Sequence, residues 1–179
     1  ANNTATGEDA LKANTTGQYN TAVGSLALDA NTTANNNVAV GATELTANTT
    51  GANNIAVGYS SLYSSTTASG NLAIGYEAAD NTTTGNDNTV VGYRALYDNT
   101  TSYGHTAVGF YSLNEAYGTS IYCTAVGVNA LKNNAEAQFN TAVGAFAADT
   151  NTSGGSLTCV GAYAGDLLTT GSNNTLIGR

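Results

Sequence analysis

Charge is scarce in this sequence. Of 179 residues, four are Lys or Arg and twelve are Asp or Glu, for a net charge of −8. The cations Lys12, Arg94, Lys132 and Arg179 are too few and too scattered for a phosphate-neutralising stripe, which excludes nucleic acid as a partner. The same scarcity excludes adsorption to an anionic membrane surface. No stretch approaches the ~18 continuous apolar residues of a membrane span, so no membrane insertion is expected. No charged-then-apolar leader opens the chain, which begins in mid-pattern. Histidine occurs once, at His105, and cysteine twice, at Cys123 and Cys159. Asn, Thr, Ser and Gly take the place of charge, unlike a cytosolic surface kept soluble by Lys and Glu.

What is present is a repeat. The glycine of an Asn-Thr-Ala-Val-Gly motif recurs at Gly7, Gly24, Gly41, Gly58, Gly75, Gly92, Gly109, Gly127, Gly144, Gly161 and Gly178. Nine of the ten intervals are 17 residues, and the one from Gly109 to Gly127 is 18. So short a period predicts one supersecondary unit stacked on copies of itself, a solenoid and not a globule. Disordered polar tracts do not keep a register of Val, Ala and Leu.

Counting from the anchor glycine, position −1 is Val or Ile in ten of eleven copies: Val23, Val40, Val57, Ile74, Val91, Val108, Val126, Val143, Val160 and Ile177. Position −2 is Ala except at Val90, Cys159 and Leu176, and position −3 is Thr or a branched or apolar residue. Position −4 is Asn in eight copies, replaced by His105, Cys123 and Leu157. This segment reads as a short strand ending at a glycine. An Ala-Leu pair at +3 and +4 (Ala27-Leu28, Ala95-Leu96) reads as a second short strand or extended corner, with a single helical turn as the competitor. A polar turn such as Asn14-Thr15-Thr16-Gly17 follows.

Alternation along the strand sends −1 and −3 one way and −2 the other. A 17-residue coil is thin, so its hollow takes the small Ala column, or the Ala and Leu columns together. The Val/Ile column then faces outward, and a wet aliphatic stripe of that length marks an interface. Self-association through the Val/Ile column is therefore expected, as a side-by-side trimer or a laterally paired filament. The reverse assignment is a monomer with Val inside. Coils ~4.8 Å apart give a rod of roughly 50 Å, with the Asn at −4 stacked as a ladder of amides each donating to the next.

Position +1 is Tyr59, Tyr76, Tyr93 and Phe110 in four consecutive coils. Such a column is either a packing ladder or a platform for sugars or a host receptor. The extra residue between Gly109 and Gly127 predicts a bulged coil among Tyr111, Tyr117 and Tyr122. Thr pairs at +8 and +9 (Thr15-Thr16, Thr32-Thr33, Thr49-Thr50, Thr66-Thr67) raise ice binding, although adjacent hydroxyls do not face one way on a strand. The same turns form glycosylation sequons at Asn14, Asn31, Asn48, Asn81 and Asn99.

No catalytic constellation emerges. His105 stands in an Asn slot and reads as a substitute for the amide. Asp149 with Asp166, and Glu77 with Asp80, are acids close enough to approach one another but read as solvated. Asp87 lacks the repeated acidic spacing of a calcium loop. Cys123 and Cys159 lie two coils apart in different columns, out of disulfide reach, and are expected on opposite faces. No zinc pattern, metal or cofactor is expected.

The motifs Asn20-Thr21-Ala22-Val23-Gly24, Asn54-Ile55-Ala56-Val57-Gly58 and Asn71-Leu72-Ala73-Ile74-Gly75 resemble the strand motif of YadA-like trimeric autotransporter adhesin heads. The longer unit, with Ala-Leu and Asn-Thr-Thr-Gly between copies, is similar to repeats of bacteriophage tail fibres. The resemblance covers essentially the whole chain. It implies a left-handed parallel β-roll, three chains side by side, and an extracellular stalk or receptor-binding head on a cell surface or virion.

The expectation is an all-β solenoid of about ten 17-residue coils, one domain over 1–179, non-enzymatic, serving as an adhesive or structural fibre segment. Its partners are copies of itself and surface glycans or a host receptor. The chain starts and stops in register without caps, so an end-stacking filament and an ice-binding solenoid stand as the alternatives.

Overall fold

A computed structural model describes residues 2–116 and 118–179; Ala1, and Tyr117 of the longer interval, lie outside it. Eleven parallel strands form one sheet in sequence order: β1 (Thr4–Thr6), β2 (Thr21–Val23), β3 (Val38–Ala42), β4 (Ile55–Tyr59), β5 (Leu72–Ile74), β6 (Thr89–Val91), β7 (Thr106–Val108), β8 (Thr124–Val126), β9 (Thr141–Val143), β10 (Thr158–Val160) and β11 (Thr175–Ile177). Each strand pairs in register with its equivalent one coil on, as in Thr21↔Val38, Ala22↔Ala39 and Val23↔Val40. The chain is a β-solenoid of about ten turns. The 18-residue interval leaves the register intact, since Thr106 pairs with Thr124 and Val108 with Val126.

The interior is lined by the small columns. Ala22, Ala39, Ala56 and Ala73 at −2 are fully buried, as are Leu28, Leu45, Leu62 and Leu96 at +4. Val23, Ile74, Val143 and Val160 at −1 are 37–38% exposed. The Ala wall is inside and the Val/Ile wall outside.

The +3/+4 segment is a turn, not a second strand, and no helix forms among the described residues. The reason is backbone handedness. Among the described residues, those with positive φ that are not glycine fall in three columns, +2, +4 and +12 (Tyr122, past the extra residue, is the +12 equivalent), represented in one coil by Leu26 (φ 60°), Leu28 (φ 53°) and Asn36 (φ 59°). A left-handed residue at every second position folds the chain back where an extended pair would have run on. Single left-handed L-residues each cost ~1–2 kcal/mol in isolation. Here the stack holds them, because inter-coil backbone bonds continue through the turn, as from Leu28 N to Glu44 O at 3.1 Å. The anchor column tolerates only glycine. Gly75 has φ +139°, and a Cβ there would sit 2.4 Å from the Gly92 carbonyl oxygen of the next coil.

The Leu and Ala columns are volume-coupled. Leu at +4 is replaced three times, by Ala79, Ala148 and Gly165. The next −2 residue is Val90, Cys159 and Leu176 respectively, which are the only three departures from Ala at −2. Contact is direct at the last of these: a Cβ on Gly165 would lie 2.8 Å from Cys159 Sγ and 3.8 Å from Leu176 Cδ1. A lost isobutyl group is replaced by a larger neighbour, which keeps the hollow filled.

Leu28→Ala alone is expected to cost about 2–5 kcal/mol. Adding Ala39→Val recreates the Ala79/Val90 arrangement and should restore a substantial part of the loss. Thermal unfolding of the two variants checks this; a double variant no more stable than Leu28→Ala would refute the coupling.

Candidate functional site

The polar columns that face inward are spent on the stack. Asn37 at −4 is fully buried. Its Oδ1 accepts the backbone N–H of Asn54 at 2.9 Å, and its Nδ2 donates to the Gly51 carbonyl at 2.8 Å. Asn20, Asn54 and Asn71 repeat the pattern. The ladder thus runs chiefly from backbone N–H to side-chain oxygen, while amide-to-amide steps occur at Asn71 to Asn54 (3.3 Å) and Asn88 to Asn71 (3.0 Å). A second ladder, at +7, closes the polar turn: Asn31 Nδ2 donates to Asn14 Oδ1 and to the Ala34 carbonyl. Asn31, Asn48 and Asn99 are fully buried in it, and Asn14 is half-buried. The side chains of Asn31, Asn48 and Asn99 are therefore inaccessible in the folded coils. Asn81 lies one column away and donates to Asp98 Oδ1 at 2.9 Å.

At the ladder's break, His105 does what an amide does. Its Nδ1 accepts the Cys123 N–H at 3.2 Å. Burial pushes its pKa down to about 4, with the Ser120 and Cys123 backbone opposing, so the ring is neutral at pH 7. Burial also pushes the Cys123 thiol up, away from the thiolate form a nucleophile needs. Cys123 and Cys159 are both free and buried. They share the interior and do not point to opposite faces, because −4 and −2 are two residues apart and alternate to the same side.

The threonine columns divide. Hydroxyls of Thr15, Thr32, Thr49 and Thr66 at +8 donate to the carbonyl of the next threonine in the column at 2.9–3.2 Å. Thr16, Thr33, Thr50 and Thr67 at +9 are exposed. The paired hydroxyls do not form one array.

The aromatic column is a stack. Ring centroids lie 5.3 Å apart for Tyr59–Tyr76, 5.2 Å for Tyr76–Tyr93 and 5.2 Å for Tyr93–Phe110, with interplanar angles of 9–14°. Each inner ring has both faces covered by neighbours. The rings offer solvent their edges and hydroxyls, and only the end rings, Tyr59 and Phe110, lack a stacked ring on one side. Accordingly these two are 48% exposed, against 44% and 39% for Tyr76 and Tyr93. A row of flat sugar platforms is thus not what the column presents. In β4 the strand runs on through Gly58, so Tyr59 shares a face with exposed Ile55 and half-buried Val57 while Ala56 points inward. The aromatic column and the Val/Ile column, read separately from the sequence, adjoin on one surface. Beside them Arg94 pairs with Glu77 and lies 4.9 Å from the Tyr97 ring centroid.

Asp80, near Glu77, is raised to about 6 by burial and then by Glu77. Asp149 is raised by burial and then by Asp166. Among the described residues no group of three His, Cys, Asp or Glu converges as a metal site.

One residue escaped the sequence reading. Glu44 stands at +3, where every other copy has Ala or Ser, and it is fully buried with neither carboxyl oxygen hydrogen-bonded. Its Oε1 lies 2.2 Å from the place a Cβ on Gly41 would take. Burial raises its pKa to about 7, with the dipole of its own backbone N–H opposing. A lone acid in an Ala/Ser column was the available signal.

No family model, curated protein or solved structure matches this chain.

Glu44 and His105 act on stability with opposite sign. The raised carboxyl binds its proton more tightly folded than unfolded, so its contribution is full below pH ~4.5 and is lost as pH rises through about 7. The lowered imidazole contributes fully above pH ~6.5, and this is lost as pH falls towards about 4. Each amounts to roughly 3 kcal/mol, from ~1.4 kcal/mol per pH unit. Relative to the unaltered chain, Glu44→Gln should gain stability progressively from pH 4.5 to 7. His105→Asn should gain it as pH falls from 6.5 to 4. Urea unfolding across pH measures both, and parallel profiles for variant and parent would refute the assignment.

Proposed function

We propose that this chain is a structural rod, a shaft or head segment of an extracellular fibre, with no catalytic role. The observation that carries the reading is how the stack uses its functional groups. Buried amides and +8 hydroxyls hold one coil to the next, burial keeps the histidine neutral and the cysteines as thiols, and the aromatic column is consumed in stacking. Stacked coils with laddered side chains resist bending and local opening, which suits a load-bearing element. A surface of Asn, Thr, Ser and Gly supports a location outside the cell. The adhesive part of the reading rests on the exposed edge of the tyrosine ladder, which holds three hydroxyls beside an apolar strip.

Solution X-ray scattering tests the rod. A single stack has a long axis of roughly 50 Å. Lateral association thickens the particle and leaves that length unchanged, whereas end-to-end stacking multiplies it. Rapid proteolysis across the coils at low protease concentration would contradict a load-bearing role.

A further inference from the structure

We infer that the outer face built from the −3, −1 and +1 columns is an interface with a second copy of this chain, centred on the coils of Gly58 and Gly75. The inference rests on the rod reading and names its partner. Composition along the face is graded. In the middle, −3 changes from Thr to Val38, Ile55 and Leu72, and the tyrosine column opens at +1. Towards both ends −3 returns to Thr, and +1 shrinks to Ser25 and Ala42 on one side and Ala145 and Ala162 on the other. An apolar, aromatic centre flanked by smaller uncharged residues, with the aliphatic −1 row running throughout, matches the centre-weighted anatomy of a protein interface.

Charge distribution selects the partner. Between Thr21 and Ala162 the three columns contain no charged residue, although the chain has sixteen charged groups and a net charge of −8. Six acids stand at +5 and +6, namely Asp29, Asp80, Asp149, Asp166, Asp98 and Glu115; Glu77, beside the tyrosines, is neutralised by Arg94, and Glu8 at +1 lies in the first coil, outside this stretch. An ionic partner finds nothing to pair with on this face. A copy of the chain brings a face of the same length, pitch and composition, and meets it without opposing like charges. The size also fits. A strip roughly 50 Å long and five residues wide covers about 800 Å², which is the area each partner contributes to a standard stable interface.

Light scattering of the full chain at micromolar concentration tests the pairing. The expected mass is twice that of the 17.9 kDa chain or a higher integral multiple of it. Leu72→Asp and Ile74→Asp, each placing a charge in the centre, should weaken association about tenfold or more, and Thr67→Asp on the exposed turn should not. Far-ultraviolet circular dichroism confirms that each variant keeps its coils. Salt gives a second measurement that needs no variant. Screening relieves repulsion between acidic copies, so an uncharged interface holds or tightens as salt rises. A monomeric parent, association indifferent to both central aspartates, or dissociation by salt would each overturn the inference. A monomeric parent in a particle still about 50 Å long would leave the rod intact while removing its partner.

Discussion

Everything in this molecule follows from repetition at the spacing of a parallel β-sheet. When each residue has its own equivalent ~4.8 Å away, the partner of a side chain is the same side chain one coil on. Uniform columns of glycine, alanine and asparagine follow directly. Glycine admits the next coil's carbonyl, alanine fits a hollow two walls wide, and asparagine both accepts and donates along the axis. The constraint also explains the left-handed columns. A conformation that would be strained in one isolated loop becomes the only one compatible with ten neighbours in register, since each inter-coil hydrogen bond depends on the coils on either side adopting it too.

The same constraint governs electrostatics. A like charge repeated in a column would face its own copy at close range, which is unfavourable, so charge is dispersed and mostly absent from the sheet. Where a titratable group enters the interior, it is driven to its neutral form. Glu44 and His105 show this from opposite directions: the acid holds its proton and the base sheds one, and in both cases removal from water is the principal cause. The ladder satisfies the interior asparagines, whereas the Glu44 carboxyl and His105 Nε2 are buried without a partner.

Much of this was legible in the sequence. The anchor glycines announced the stack, and parity placed Ala22 inside and Val23 outside. Parity was misapplied to the cysteines, because −4 and −2 are an even step apart. The turn at Leu26 and Leu28 was not legible, since nothing in an Ala-Leu pair signals left-handed φ; that conformation is imposed by neighbouring coils. The ring stack was visible as a column, but its consequence for exposed faces required the planes. Glu44 is a single departure from an Ala/Ser column, and one letter does not show that its carboxyl is buried without a partner. Exchange between +4 and the next −2 was present in the letters throughout, and needed the contacts around Gly165 to show why Val90, Cys159 and Leu176 stand where they do.

That exchange bears on how such a chain can grow or shrink. Outside the 18-residue interval, any 17-residue block can be excised without disturbing column order, yet the cuts are not equivalent. A seam between Ala79 and Val90 would leave the small residue facing another alanine, and a seam after a leucine could set it against valine or cysteine. An excision keeps the hollow filled only where each +4 residue stays with its following −2 partner, so the packing unit is offset from the Asn-Thr-Ala-Val-Gly motif.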